Sequence, residues 1–333
     1  MKKWLWLPLA AIFFVGCAQS FPQETSTQDV GTSEATEPSP ITPATLPNQS
    51  TLVEPMSQAN LLRHVKALGF ARYSQSDRLK ARQYIINNLK SAGWSVTLQT
   101  FKDEYADGVN IIAERSQKNA QVETILVGAH YDTVPRSPGA DDNGTGVATI
   151  LEIARITSSL PTKKNLKLVF FDQEEIGLKG SLAFTSRPNN VKRLSGAIII
   201  DMLGFACNTP GCQTFPEGLP VTLPTDTGDF ILVAGDTEHP EIISAFDHLP
   251  NSNFPSVVKI PVPFKGLSAI NLLRSDHAPF WLRNIGAVIV TDTANFRNPH
   301  YHQPTDIYNT IDRNFFTNSA QIVANATIKL LEI

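Results

Sequence analysis

Short continuous apolar runs that alternate with amphipathic helical stretches constrain the fold more than any other feature of the sequence. The runs occupy residues 124–129, 166–171, 197–200, 230–234 and 287–290. Strands that are buried on both faces have this unbroken apolar character, which is typical of parallel sheets covered by helices. The amphipathic stretch 146–156 is typical of such a covering helix. The pattern predicts an α/β fold, a three-layer α/β/α sandwich with a mostly parallel central sheet in a single domain.

Two helices are predicted to open the folded part, which starts near Met56. The apolar residues of the first recur at helical spacing, at Leu61, Leu62, Val65 and Leu68. The predicted apolar set of the second comprises Leu79, Tyr84, Ile85 and Leu89, and Gly93 ends that helix.

Residues 1–17 have the features of an export signal. Two lysines precede the apolar run 4–15, which is too short to span a bilayer as a mature helix. The sequence that ends at Cys17 resembles a bacterial lipobox, although Phe14 stands where leucine is usual. The resemblance implies lipidation of Cys17 and a place in the cell envelope, facing the periplasm or the cell surface. A plain secretory signal with a chance cysteine is the alternative.

Residues 18–55 are predicted to form a disordered tether to the membrane. The segment is rich in Ser, Thr, Pro, Gln and Glu, and no Lys or Arg occurs between Lys3 and Arg63. Such a composition buries too little apolar surface to offset the entropy lost on ordering.

The charge balance argues against a nucleic-acid partner. The formal net charge is -3 and the pI is near 6.2. No stretch concentrates the Lys and Arg that neutralising phosphates would require.

Cys207 and Cys212 are the cysteines that remain after the signal segment. In an exported protein two close cysteines indicate a short disulfide rather than a metal site. The intervening residues 208–211 favour a turn that brings the sulfur atoms together. A pair of free thiols is the alternative.

Polar side chains follow the predicted strands at the points where the strands end. His130 and Asp132 follow the first run, Glu174 and Glu175 follow the second, and Asp201 follows the third. The carboxyl ends of parallel strands meet at one edge of a sheet, where ligands bind. Each residue alone has an ordinary explanation, as a surface histidine or a solvated carboxylate. Their coincidence at strand ends predicts a site.

Five motifs carry a resemblance to a known family. In order they are GAHYDTVPRSPGADDNGTG, FFDQEEIGLKGS, IIIDMLG, RSDHAPFW and NPHYHQPTD. This series resembles the zinc-dependent aminopeptidases of metallopeptidase family 28, from about Leu61 to the C-terminus. The resemblance implies a zinc peptidase domain over residues 56–333 that removes N-terminal residues from peptides.

The resemblance also implies a ligand set for two zinc ions, namely His130, Asp142, Glu175, Asp201 and His302. Asp142 would bridge the two ions, Asp201 would accompany His130, and Glu175 would accompany His302. Nitrogen and oxygen ligands without thiolate suit zinc, although manganese or cobalt would also fit.

Further roles follow from the same resemblance. Glu174 would act as the general base toward a water held between the two ions. Asp132 resembles the carboxylate that fixes the tautomer of the histidine ligand, and Asp306 is expected to serve His302 similarly.

Other residues of these motifs have weaker signals. Asp276 and His277 are expected near the site without touching metal, because the five ligands are already accounted for. His302 is preferred to His300 because it completes the family's H-x-x-x-D pattern. Three aromatic residues could line the substrate pocket or belong to the core: Phe205, Phe296 and Tyr301.

Three alternatives remain open at this point. A glutaminyl cyclase would use the same scaffold with one zinc ion. A two-zinc deacylase or carboxypeptidase would carry an inserted lid, for which the stretch between Asp201 and Ser275 has little room, with one clear strand. A non-catalytic binding lipoprotein would have lost ligands or the base, and both Glu174 and Glu175 are present.

Overall fold

The computed structural model describes residues 54–102, 107–115, 121–216, 225–247, 254–267 and 269–332. The predicted signal peptide, the lipidation site Cys17 and all but the last two residues of the predicted tether lie outside these ranges. None of the helices in the described ranges has the length and apolar character needed to cross a membrane.

Strands and helices alternate along most of the described chain. The strands are β1 Trp94–Phe101, β2 Gly108–Arg115, β3 Thr124–His130, β4 Asn165–Phe171, β5 Leu194–Ile200, β6 Phe230–Asp236, β7 Ser256–Val262 and β8 Ala287–Thr291. The helices are α1 Gln58–Ala67, α2 Gln75–Ser91, α3 Gly144–Thr157, α4 Lys179–Thr185, α5 Pro188–Val191, α6 Pro240–Ser244, α7 Ala278–Trp281 and α8 Arg313–Leu331.

The eight strands form one sheet in the order β1-β2-β4-β3-β5-β8-β6-β7. The four central strands β4, β3, β5 and β8 are mutually parallel, so their carboxyl ends lie at one edge. His130 closes β3 at that edge, and Asp201 directly follows β5. The predicted α/β class with a mostly parallel sheet is confirmed.

The outer strands differ from the prediction. Strand β6 runs antiparallel to β8, and β7 lies beyond β6 as the outermost strand on that side of the sheet. The expectation of one clear strand between Asp201 and Ser275 is therefore wrong. The sequence did not predict β7 because an outermost strand is only partly buried and this one carries Lys259 and Pro261 among its apolar residues. In the described part of this stretch, both strands extend the central sheet.

The apolar core lies on both faces of the sheet. In β3, Ile125 and Val127 face a cluster that includes residues of α1, α2, α3 and α8. Leu126 faces the opposite cluster, which includes Phe184 of α4 and Trp281 of α7. Alternate side chains of one strand thus serve two helical layers, as expected for a buried strand.

The predicted apolar face of α2 is wrong at Leu79, whose exposed fraction is 56%. Arg78 takes the inward position instead, and its Nε lies 2.9 Å from Oδ1 of Asp172. The inward stripe of α2 therefore begins with an ion-paired arginine and continues through Ala81, Ile85 and Leu89. Apolar periodicity alone does not reveal a buried ion pair.

Cys207 and Cys212 are joined by a disulfide in the structure, with their Cα atoms 6.3 Å apart. The bridge closes a loop with a sequence separation of 5 residues. Because a short loop restricts the unfolded chain little, we expect its contribution to stability to be small.

His64 predicts a loss of stability in mild acid. Burial, helped by the charge of Arg63, lowers the pKa of His64 from 6.5 to about 4. Between these values the unfolded chain binds a proton that the folded protein does not, so the free energy of unfolding falls as the pH falls through this window. The contribution of His64 should fall by about 2 kcal/mol from pH 7 to pH 5. Urea unfolding at both pH values measures this loss; it should shrink in His64→Gln, and an unchanged loss would contradict the assignment.

Candidate metal centre

The loop from β3 to α3 carries Asp142 into the site. Asn143 caps α3 by accepting a hydrogen bond from the amide of Gly146 at 3.1 Å. The same side chain donates to the carbonyl of Ile200 at 2.8 Å and accepts from the amide of Met202 at 3.2 Å. One buried amide thereby ties the Asp142 loop to the end of β5, where Asp201 lies. The Asp142–Asn143 peptide bond is cis.

The five predicted metal ligands come together as two groups that share Asp142, and a third group joins Glu174 to His130 and Glu175. In the first group, Nε2 of His130 lies 3.3 Å from Oδ1 of Asp142 and 3.6 Å from Oδ1 of Asp201. In the second group, Nε2 of His302 lies 3.2 Å from Oδ2 of Asp142 and 2.9 Å from Oε2 of Glu175. The two oxygens of Asp142 thus face different histidines.

These separations fit a pair of metal ions. Ligand atoms about 2.0 to 2.2 Å from one tetrahedral ion lie roughly 3.4 Å apart. In addition, Oε1 of Glu175 is buried, and no described residue gives it a hydrogen bond. A buried carboxylate oxygen without a donor is costly unless a cation satisfies it. The donor set and the unpaired oxygen together suit zinc.

Asp132 holds the backbone of Glu174 and Glu175 in place. Its carboxylate accepts hydrogen bonds from the amide of Glu174 at 3.0 Å and the amide of Glu175 at 3.3 Å. Its Oδ1 also lies 3.6 Å from Nδ1 of His130, while its own carbonyl oxygen lies 3.3 Å from that nitrogen. Asp132 therefore links the β3 and β4 ends of the site, which is more than the predicted contact with His130.

The expected role of Asp306 needs correction. Its carboxylate accepts hydrogen bonds from the amide of Asp141 at 2.9 Å and from the amide of Asp142 at 3.0 Å. It therefore positions the loop that carries Asp142. The H-x-x-x-D spacing suggested a contact with His302, but the chain folds back between the two residues and turns Asp306 toward the loop.

Asp141 is a buried residue of the site that the sequence did not reveal. It accepts hydrogen bonds from the amide of Gly204 and from Nδ2 of Asn298, both at 2.8 Å. Asn298 belongs to the motif that carries His302, so Asp141 connects that motif to the Asp142 loop. Its signal in the sequence, the doubled aspartate, is equally typical of a helix N-terminus.

The titration behaviour of the carboxylates separates them into two kinds. Burial opposes ionisation of Asp142, but hydrogen bonds from His130 and His302 outweigh it and hold its pKa below the usual range. Burial raises the pKa of Glu174 well above the usual range, with Asp201 adding to the effect against the opposing charge of His130. Burial and Asp142 raise the pKa of Glu175 to about 7. Asp142 is suited to stay ionised, and Glu174 is suited to accept a proton.

The structure distinguishes the two histidines of the last motif. His302 points into the cluster, whereas Nδ1 of His300 lies 2.9 Å from Oγ1 of Thr305. The ring of Tyr301 stacks on that of His302, with centroids 3.8 Å apart. This arrangement favours the choice of His302, whose role as a ligand stays a prediction.

Asp276 and His277 lie at the site without joining the groups that could hold a metal. Nε2 of His277 lies 2.7 Å from the carbonyl oxygen of Leu272, and burial lowers its pKa to about 4. Asp276 is fully buried, and burial raises the pKa of its carboxyl to about 7. Both positions fit the expected placement near the site.

A cavity of about 110 Å³ opens beside the cluster. Phe296 and Tyr301 line it, as suggested, but Phe205 packs against the ring of His300 instead, at 5.9 Å. The sequence did not reveal its other apolar walls, which include Phe215, Leu232, Ile260, Leu272 and Ile289. They come from β6, β7, β8 and connecting segments, which only the folded chain brings together.

The fold and the cluster define the class of this protein as an α/β protein with a candidate metal centre. Residues 110–327 match peptidase family M28, and the chain belongs to that family. The predicted family is confirmed, and with it the prediction that the chain is an enzyme of the metallopeptidase class.

Several curated proteins are similar in sequence. The chain is 32% identical to the uncharacterized protein YfbL of Escherichia coli K12 over 73% of this chain and 77% of YfbL. It is 40% identical to the aminopeptidase YwaD of Bacillus subtilis over 28% of this chain and 22% of YwaD. It is 29% identical to LpqL of Mycobacterium tuberculosis, a probable lipoprotein aminopeptidase, over 61% of this chain and 42% of LpqL. The chain therefore matches under half of the length of the last two.

Two solved structures share the fold. The zinc aminopeptidase BSAP of Bacillus subtilis matches with a TM-score of 0.64 at 16% identity, over 84% of this chain and 96% of BSAP. A glutaminyl cyclase of Fimbriiglobus ruber matches with a TM-score of 0.60 at 18% identity, over 86% of this chain and 99% of the cyclase. At these identities the similarity establishes the fold and leaves the reaction to the site.

Proposed function

We propose that this protein is an aminopeptidase that holds two zinc ions with His130, Asp142, Glu175, Asp201 and His302. The observation that carries the proposal is the pair of three-residue groups that share Asp142. A single-zinc cyclase needs one such group, so the presence of a second one with His130 and Asp201 favours the two-ion aminopeptidase. YwaD, LpqL and BSAP are each named as aminopeptidases, and the similarity of this chain to them supports the same reaction.

When bound, the two zinc ions lower the pKa of an attacking water and polarise the scissile carbonyl. The carboxylate of Glu174 takes a proton from that water as its oxygen bonds to the carbonyl carbon. When the carbon–nitrogen bond breaks, Glu174 returns the proton to the leaving amine. Asp132 keeps this carboxylate in place through the amide of Glu174. The raised pKa of Glu174 makes it a better proton acceptor than an ordinary glutamate.

The cavity supports removal of single residues from a free N-terminus. Apolar side chains form one part of its wall, beside Arg274 and several uncharged polar residues, and carboxylates of the cluster stand at one side, where a substrate ammonium group would find opposite charge. We therefore propose that substrates begin with an apolar residue.

Mass spectrometry of peptide products tests the proposed reaction. A peptide that begins with leucine should lose that residue in the presence of zinc, and its N-acetylated twin should stay intact. A twin that begins with glutamate tests the apolar preference: slower release than that of leucine would support it, and equal or faster release would contradict it and point to Arg274, which also lines the cavity. A peptide that begins with glutamine distinguishes the cyclase: release of ammonia with retention of every residue would contradict the proposal.

We also propose that residues 56–333 form the peptidase domain and that a lipid on Cys17 anchors it to the cell envelope. The name of LpqL as a probable lipoprotein supports an anchor of this kind. Labelling with palmitate in a bacterial host should tag the wild-type chain but not Cys17→Ser, and labelling of neither would argue against lipidation.

A further inference from the structure

Arg72 lies between α1 and α2, ahead of the residues that match the peptidase family, and its side chain is fully buried. Its hydrogen bonds to described residues all go to backbone carbonyl oxygens. Nε donates to Tyr131 at 2.7 Å, Nη1 donates to Pro138 at 2.7 Å, and Nη2 donates to Gly139 at 2.9 Å. Nη1 also donates to the carbonyl groups of Leu68 and Phe70. The mechanism uses none of these contacts.

These contacts fix both ends of segment 131–139, which connects His130 to the Asp142 loop. The backbone amide of Arg72 adds a hydrogen bond to Oγ1 of Thr133 at 2.9 Å. At Gly139, where φ is +60°, a Cβ atom would lie 2.3 Å from the carbonyl oxygen of Asp142, 2.4 Å from Cγ2 of Thr133 and 2.7 Å from Nη2 of Arg72. The guanidinium therefore packs directly on the backbone of the segment, and glycine is required there.

The charge of Arg72 acts on the same site. Burial lowers the pKa of Arg72 to about 10, while Asp306, Asp142, Asp132 and Glu175 oppose that change. The group stays protonated at neutral pH. In the described residues no carboxylate forms an ion pair with it, so its charge is shared among several acidic groups instead of being neutralised by one.

We propose that Arg72 is a positioning residue of the metal centre, which sets the separation of His130 from Asp142 by holding segment 131–139 at both ends. The inference rests on the proposed zinc ligands. A guanidinium offers five donors in a rigid plane, and an ammonium group cannot reach the same carbonyl groups from one position. The neighbouring helices α1 and α2 are thereby coupled to the metal site rather than merely covering the sheet.

The test measures the dissociation constant of zinc by competition with a coloured chelator in Arg72→Lys and Arg72→Met. Both variants should bind zinc about 10- to 100-fold more weakly than the wild type, the range seen when residues that orient metal ligands are lost. The KM of the zinc-saturated protein should change little, and excess zinc should restore most of the lost turnover. Circular dichroism of the metal-free proteins verifies the fold.

Arg115→Met is the matched control. Nη1 of Arg115 also donates to a carbonyl oxygen, that of Leu160 at 2.5 Å, and its Nη2 donates to Thr162. Arg115 ends β2, which runs antiparallel to β4, so it lies at the opposite edge of the sheet from the site. This variant should lose some thermal stability but keep the wild-type zinc affinity.

The outcomes separate the two proposals. A wild-type protein that binds no zinc overturns the proposed function. A wild-type protein that binds zinc, with Arg72 variants of equal affinity, overturns the role of Arg72 alone. Failure of Arg72→Lys to fold would also overturn that role, because it would make Arg72 a determinant of folding rather than of ligand position.

Discussion

Glu174→Gln should retain its zinc and lose about 10²- to 10⁴-fold in kcat, the range attributed to a general base. The amide has nearly the shape of the carboxylate but cannot accept the proton of the attacking water. The amide of Glu174 still donates to Asp132, so the loop should keep its conformation. Measured kcat with zinc content by atomic emission tests this result.

Glu152→Gln is the matched control for this substitution. Glu152 is a buried glutamate of α3 that accepts a hydrogen bond from the amide of Ser57 at 3.0 Å. It does not line the cavity. Its loss should lower stability while the folded fraction keeps its turnover. Full activity of Glu174→Gln would exclude Glu174 as the base, and loss of zinc from that variant would make it a ligand instead.

Asp142→Asn should remove both metal ions and lower kcat/KM by at least about 10³-fold. Its two oxygens face His130 and His302, at 3.3 and 3.2 Å, so this one carboxylate belongs to both metal groups. A neutral amide offers one good acceptor oxygen and no negative charge. Zinc content after dialysis, measured beside peptide hydrolysis, tests the expectation.

Asp236→Asn provides the comparison for Asp142→Asn. Asp236 is also buried and also contacts a histidine, with its Oδ1 2.8 Å from Nδ1 of His239. It ends β6, which runs antiparallel to β8, so it lies at the edge of the sheet away from the site. The zinc content of Asp236→Asn should equal that of the wild type. Retention of one zinc ion by Asp142→Asn would show that the carboxylate is not shared.

The central strands and the residues at their ends were predictable because both depend on local sequence. A strand buried on two faces is apolar throughout, and the residue that follows it lies at the sheet edge wherever the strand is placed. His130 and Asp201 are of this kind. The positions of Asp142 and His302 needed the family resemblance, because loops carry them.

The remaining features depend on contacts between distant segments. Strand β7 is half exposed because it is the outermost strand of the sheet. On α2 the inward position is occupied by Arg78, while Leu79 is exposed. Apolar periodicity therefore predicts neither feature. Asp306 and Arg72 act on backbone groups, which every sequence possesses, and no pattern of side chains identifies such partners. Walls of the cavity such as Phe215 and Ile289 meet only in the folded chain.

Titration of the metal-free protein with zinc, with hydrolysis of a leucine peptide followed at each addition, tests the central claim most directly. Two groups that share Asp142 predict that two equivalents of zinc bind and that full activity requires both. Excess chelator should return the activity to zero. Full hydrolytic activity after one equivalent would contradict the two-ion site, and hydrolysis that persists in chelator would contradict metal dependence altogether.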